Sequence, residues 1–384
     1  MKKTKLALII HEFYPVLCGG TVFAEKIGME LLKMGYEVEI LTAGIGKNFP
    51  RCEYLHGVKV IHFNTMRKTT HDASFLEHVC FFVIGAPKIF RYLLRNRPDI
   101  MFSIFAIPTG LIATFISKIL RIPNIVFVDA ADLPGIESAM QTIAKYLVIP
   151  FKLATNYAAG VTILEGLEDV AEKYVSNEQR IVIPNGTTIP EQTATPGRNE
   201  SPLVFLSIGR LVLRKGFLDT ILALAIVKKK RSDFLFNIVG YGTKEEEIAR
   251  LLQDNALEAN IKMLGRVEYD KLSEYYLDSD VYLFYGAREG SSLAMIEAAS
   301  YGLPVIASDF PGNRAFVEHG QSGLLVEHRN PEKLAGAILN VLENRNQLPA
   351  WGIRSREIAN CYSWSKIAER YDTFFRKVAP KAFL

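Results

Sequence analysis

Residues 286–309 read GAREGSSLAMIEAASYGLPVIASD and follow directly on the apolar run DVYLFY. Their order is a buried strand, a short polar loop, a helix and a second strand. Ser291 or Ser292 takes the N-cap position, and Gly302 follows the last helical turn. This is one strand-loop-helix-strand unit of an α/β fold. Two glutamates flank the Ser-Ser pair. Glu289 and Glu297 stand eight residues apart, about 80° apart around a helix at about 100° per residue, but Glu289 precedes the helix and can bend back over its N-terminus. There the backbone N–H groups of residues 291–293 and the positive end of the helix dipole suit a phosphate. A capped surface helix with a solvated Glu297 is the plainer reading, and this stretch alone does not choose.

Upstream, short β-branched runs alternate with amphipathic helical patterns. KLALII, FAEKIGMELLKMG, EVEILTAG and VKVIHFN come first, then a helix to Arg97, DIMFSIF, a helix to Leu120, and NIVFVDA. PLVFLSIG restarts the scheme with helices over 218–230, 245–255 and 269–279 and strands FLFNIVG and IKMLG between them. Such alternation predicts two parallel, doubly wound, Rossmann-like halves. The aperiodic segment GTTIPEQTATPGRNESP places a hinge around residues 187–202. Open parallel sheets bind ligands beyond their strands' carboxyl ends, so two such halves facing each other predict a central cleft.

Composition agrees with a well-cored globular protein: 384 residues, 49% hydrophobic and 22% charged. A net charge of +4 is too small to argue for nucleic acid. Cys18, Cys52, Cys80 and Cys361 lack metal-like spacing and fit the reduced thiols of a cytoplasmic protein. No structural metal is expected. The opening MKKTKLALII stops at His11-Glu12, too short for a signal peptide's apolar core, and no uncharged span of membrane-crossing length follows.

In the second half, SIGRLVLRKG ends a strand at Gly209 and places Arg210 and Lys215 in the following loop. A glycine there admits an anion to the backbone, while an arginine fork and a lysine point charge can both reach a pyrophosphate. Two solvated basic residues beside a turn are the alternative. Gly240 and Gly242 of IVGYG lack the third glycine of a dinucleotide fingerprint.

Taken together and in order, Gly19-Gly20 after HEFYP, VIPNG at 182–186, GRLVLRKG, VGYG and EGSSLAMIE resemble the retaining GT-B glycosyltransferases of family GT4. EGSSLAMIE is similar to that family's E-x7-E motif. The resemblance covers essentially the whole chain, and the terminal YSWSKIAERYDTFF looks like the family's last helix, which crosses back to the first domain. It implies domains at 1–187 (acceptor side) and 188–360 (donor side), with 361–384 as the crossing helix.

The resemblance also implies roles. Arg210 and Lys215 hold the donor's diphosphate, Glu297 takes the ribose hydroxyls, and Glu289, Gly290 and Ser291 face the donor sugar. Ser292 and Leu293 continue that donor-binding loop into the helix, with Gly209 and Gly240 at the neighbouring strand tips. Arg266 and Val267 lie near the base, and the Gly19-Gly20 loop closes over the diphosphate. Asp129, Arg210, Lys215 and Glu289 are the expected catalytic set. No metal or cofactor is expected beyond the donor, a nucleoside diphosphate sugar with UDP the first choice. The implied acceptor is a glycan or a lipid-linked glycan of a cell-surface polysaccharide. A sugar-nucleotide epimerase, a phosphorylase and an inactive scaffold for a partner transferase are the alternatives.

The chain departs from the family's pattern at three places. Asp129-Ala130-Ala131-Asp132 stands where His-Gly-x-Asp is usual, so Asp129 either stabilises positive charge at the anomeric carbon or caps a turn. Thr188 stands where an Asp is common and Ala315 where a Glu is frequent, although Asn313 and Arg314 remain polar nearby. APKIFRYLLRNRP interleaves Lys88, Arg91, Arg95 and Arg97 with Ile89, Phe90, Leu93 and Leu94. It reads either as a sheet-packing helix with a solvated basic face or as a peripheral contact with the inner face of a membrane. His11 either reaches the cleft or is a buried structural histidine.

Overall fold

The computed structural model describes residues 3–16, 18–46, 49–68, 74–133, 136, 144–197 and 202–383. The chain divides into two compact units, Met1–Asn185 with Trp364–Leu384, and Gly186–Ser363.

In the first unit the elements run β1 (Lys5–Ile9), α1 (Gly19–Lys33), β2 (Glu37–Ile45), β3 (Cys52–Leu55), β4 (Val58–Arg67), α2 (Phe75–Cys80), α3 (Ala86–Asn96) and β5 (Ile100–Ile104). They continue with α4 (Leu111–Leu120), β6 (Asn124–Val128), α5 (Ala144–Asn156), β7 (Gly160–Ile163), α6 (Glu168–Ala171) and β8 (Arg180–Val182). The strands form one sheet in the order β3-β4-β2-β1-β5-β6-β7-β8. All pairs are parallel except β3 with β4. Strand order reverses between β1 and β5, so the loops after those two strands splay apart and leave a crevice at their carboxyl ends. A parallel sheet covered on both faces needs strands apolar on both sides, and β5 and β6 are buried at every residue.

After the second unit the chain returns as α14 (Trp364–Val378), which packs on the first sheet. The Phe102 ring lies 5.2 Å from that of Tyr371 and 5.4 Å from that of Phe375. Burying each such aromatic contributes roughly 1.5–3 kcal/mol, enough to hold the helix on this unit.

The second unit comprises β9 (Leu203–Ile208), α7 (Phe217–Lys228), β10 (Phe234–Val239), α8 (Glu245–Asp254), β11 (Ile261–Met263), α9 (Leu272–Leu277), β12 (Val281–Phe284) and α10 (Leu293–Ser300). It ends with β13 (Val305–Ser308), α11 (Pro311–Arg314), β14 (Gly323–Val326), α12 (Pro331–Glu343) and α13 (Leu348–Asn360). Its six strands are all parallel in the order β11-β10-β9-β12-β13-β14. The reversal falls between β9 and β12. The loops that leave these two strands carry GRLVLRKG and GAREGSS, so the topology brings the two charged motifs to one crevice.

Candidate active site

Backbone contacts join the two loops before any charge does. Leaving β9, the chain makes a tight turn over Leu213–Lys215 and reaches Gly216 at φ +70°. A Cβ on Gly216 would lie 1.9 Å from the Tyr285 carbonyl oxygen. Only glycine combines that dihedral with that approach. Two residues further along the β12 loop, after Gly286, the Ala287 N–H donates to the Arg214 carbonyl at 2.6 Å.

On this frame Lys215 Nζ donates to Glu289 Oε2 at 2.7 Å and lies 5.3 Å above the Phe284 ring. Arg214 Nη1 approaches Glu289 Oε1 at 3.0 Å, but off hydrogen-bonding geometry, so this buried oxygen has an ion contact and no hydrogen-bond donor. Lys215 and Glu289 side chains are 16% and 10% exposed, so little water screens the pair. Burial draws Lys215 below the usual lysine range; Glu289 opposes this, and Arg214 and Arg210 add to the depression. Burial also pushes Glu289 upward, but Lys215, Arg214 and Arg210 together outweigh it and hold its carboxyl below the ordinary range. The pair is an ion contact walled in by further positive charge from Arg214 and Arg210. Three cations surround one carboxylate, a formal surplus of two positive charges.

Glu289 thus takes Lys215 and Arg214 as its partners, where the sequence assigns it to the donor sugar. Arg214 is the residue that sequence reasoning passes over. Its charge stands in the quoted motif, but nothing local tells which of three basic side chains turns inward.

Beyond this loop Ser291 and Ser292 are buried and Ser292 is the N-cap of α10, with no capping bond from its side chain. Leu293 is the first helical residue, one position after Gly290-Ser291-Ser292 carry the chain across the strand tips. Glu297 lies one turn into α10. Its carboxylate accepts from Tyr269 Oη at 2.5 Å and from Tyr276 Oη at 3.1 Å. Sequence reasoning misses both tyrosines, because they reach Glu297 from 28 and 21 residues away. The two tyrosines fix the orientation of the Glu297 carboxylate.

Gly240 serves the framework: at φ +144° its Cβ would lie 1.9 Å from the Gly209 carbonyl oxygen, and its N–H donates to Gly265 at 2.8 Å. The Arg266 guanidinium lies 5.8 Å from the Tyr241 ring, and Val267 packs on the core beside α9 and α10. At the next strand tip, Asn313 is buried and donates to the Ser308 carbonyl at 2.7 Å.

In the first unit the expected glycine loop is a helix. Gly19 and Gly20 form the first turn of α1, and a Cβ on Gly20 would meet the Phe105 ring at 2.5 Å. Gly20 therefore lets α1 approach the β5 loop at the strand-order reversal. Asp129 caps the short turn over Ala130–Asp132, its Oδ1 accepting from Ala130 N–H at 2.6 Å. Asp132 is the half-buried carboxylate here, accepting from the N–H groups of Ala106 at 3.0 Å and Asp129 at 3.1 Å. Burial pushes its carboxyl up to about 7, the bonds from Ala106 and Asp129 opposing and the Asp129 charge adding. It ties the β5 loop to the β6 loop. His11 is buried with Nδ1 unpartnered, and burial lowers it to about 3, so it is neutral. Its ring lies 4.9 Å from His78 and 5.6 Å from Phe105.

Among the described residues no group of three His, Cys, Asp or Glu is placed to hold a metal ion.

Residues 188–358 match the family model described as glycosyl transferases group 1. An uncharacterized glycosyltransferase of Methanocaldococcus jannaschii is 26% identical over 363 residues, 92% of this chain and 93% of that protein. One of Haemophilus influenzae is 28% identical over 235 residues, and that match spans 60% of this chain and 64% of the relative, just under two thirds of its length. Among solved structures, Anabaena HepE in complex with UDP and glucose superposes with a TM-score of 0.75 at 18% identity, covering 97% of this chain and 100% of that one.

Proposed function

Residues 188–358 belong to group 1 of the glycosyl transferases, the chain has the two-domain GT-B fold, and on that premise we propose that it moves a sugar from a nucleoside diphosphate sugar to a hydroxyl acceptor with retention of configuration. The observation that carries the proposal is the surplus of positive charge at the β9/β12 crevice. A nucleoside diphosphate sugar carries two negative charges on its pyrophosphate, and Arg210, Arg214 and Lys215 less Glu289 leave a formal excess of two positive charges. UDP is the first choice of leaving group, supported by the UDP bound in the HepE structure.

As the bond between the sugar's C1 and the phosphate oxygen breaks, charge on the diphosphate grows. The cations bind that state more tightly than the intact donor, which is what lowers the barrier. A bond from C1 to the acceptor oxygen forms on the same face, and the acceptor's proton passes to the departing phosphate oxygen. Glu289 holds Lys215 in place, and its Oε1, without a hydrogen-bond donor, is suited to accept from a sugar hydroxyl. Glu297, oriented by two tyrosines, is suited to the ribose. The clamp supplies the charge neutralisation that a metal ion supplies in other transferases. The acceptor in this proposal is a glycan or lipid-linked glycan of a cell-surface polysaccharide.

Thermal unfolding with UDP, GDP, ADP, NAD and a panel of UDP- and GDP-sugars tests the reading. Ligand at about 100 times its dissociation constant adds roughly 2.7 kcal/mol, a shift of a few degrees. One nucleoside diphosphate and its sugars are expected to raise the midpoint. No shift with any of them would favour an inactive scaffold instead.

A further inference from the structure

Helices α2, α3, α4 and α5 lie on one side of the first sheet. Ile89 and Leu93 of α3 and Ile112 and Ile116 of α4 share a core with Ala7, Leu41 and Met101 of the strands. Next to α4, the α5 backbone accepts a hydrogen bond at Ala154 from Thr114 Oγ1 at 2.9 Å. A single π-type turn over Phe81–Gly85 joins α2 to α3, so residues 75–96 form one continuous rod.

The outward side of these helices is unusual in two independent ways. It exposes large apolar side chains on every helix: Leu76 at 69%, Val83 at 63%, Phe115 at 69% and Ile149 at 71%. It is also one-sided in charge. Residues 75–97, 111–121 and 147–157 contain seven Lys and Arg and one carboxylate, in a chain with 45 basic and 41 acidic residues. That carboxylate, Glu77, already accepts from Ser74 N–H at 2.9 Å and Lys68 N–H at 3.0 Å. Arg91, Arg95, Lys118, Arg121 and Lys152 are exposed among the apolar positions.

We propose that this four-helix side of the first unit docks on an anionic lipid bilayer, its apolar side chains entering the headgroup boundary and its cations pairing with lipid phosphates. Charge complementarity selects the occupant. A second copy of the same face would set seven cations against seven with one carboxylate on each side to meet them, whereas an anionic leaflet supplies the missing charge and an apolar layer beneath it. Among the described residues no helix is long and apolar enough to cross a membrane, so the contact is interfacial.

The test is sedimentation of the full chain with vesicles of phosphatidylcholine alone and of phosphatidylcholine with phosphatidylglycerol at about seven to three. Binding to the anionic vesicles only, weakened by salt, is expected. Each cation near such a surface is worth about fivefold in affinity, so Arg91→Gln with Arg95→Gln should weaken binding about 25-fold. Val83→Asp should abolish it. Lys229→Gln with Lys230→Gln, exposed positions after α7, should leave it unchanged. All these positions are exposed, and unchanged melting midpoints will show that the variants fold. Equal binding to neutral vesicles, binding to neither, or equal loss in the Lys229/Lys230 variant would each overturn the proposal. A dimer in sedimentation equilibrium that Val83→Asp dissociates would assign the face to a second copy and overturn it as well.

Discussion

Lys215→Met separates the two things that Lys215 does in this site. Methionine keeps an unbranched stem over the Phe284 ring and removes the charge 2.7 Å from Glu289. Breaking a buried ion pair from one side costs about 3–5 kcal/mol, because the partner is left charged and unpaired. Here Arg214 stays 3.0 Å from the other carboxylate oxygen, so the stability loss should fall at or below the bottom of that range. The loss on the ligand is separate: one charge-assisted contact to the diphosphate is worth roughly 1.5–3 kcal/mol, about ten- to 150-fold in affinity or rate. Adding Glu289→Gln to Lys215→Met removes the orphaned carboxylate. The double variant should regain much of the lost stability in urea unfolding, while isothermal titration still finds UDP affinity down at least tenfold. Recovery of UDP affinity to within threefold of wild type would refute the reasoning, because Lys215 would then matter only as the partner of Glu289.

Gly216→Ala should lower stability by more than about 1 kcal/mol and disorder the clamp, since alanine there is strained at φ +70° and meets the Tyr285 carbonyl; the melting midpoint and UDP titration report both effects. Asp132 gives a pH dependence. Its folded carboxyl titrates near 7 against about 3.8 for an ordinary Asp, so between those values the folded state holds more protons than the unfolded one, and stability falls as pH rises through that window. The urea midpoint of wild type relative to Asp132→Asn should therefore fall from pH 4.5 to 7; a constant difference would show that Asp132 is not raised. On the proposed mechanism, in which the three cations neutralise the leaving group, turnover should survive excess EDTA unchanged; loss of activity restored by Mg²⁺ would contradict this.

The alternating periods of strand and helix make both parallel halves readable, because a doubly wound sheet writes its burial into nearly continuous apolar strands such as IMFSI and VYLF. Strand order is another matter. That β9 lies beside β12, and so that Lys215 meets Glu289, depends on a long-range pairing that no local pattern encodes. Edge strand β3, four residues and antiparallel, falls outside the alternation. Gly19 and Gly20 read as a loop because glycine is a poor helix former, yet α1 begins on them, and at Gly20 the Phe105 ring stands where a Cβ would lie. Asp132 stands beside Asp129 in the same motif. Only the convergence of backbone N–H groups from two loops distinguishes it.

In the proposed reaction the second unit grips a diphosphate through Arg210, Arg214 and Lys215. Isothermal titration of the whole chain with UDP and with uridine, under the same salt, tests it most directly. UDP should bind at least a hundredfold more tightly than uridine, two charge-assisted contacts at roughly 1.5 kcal/mol each being sufficient. Equal affinities, or no binding of UDP or any other nucleoside diphosphate, would contradict it.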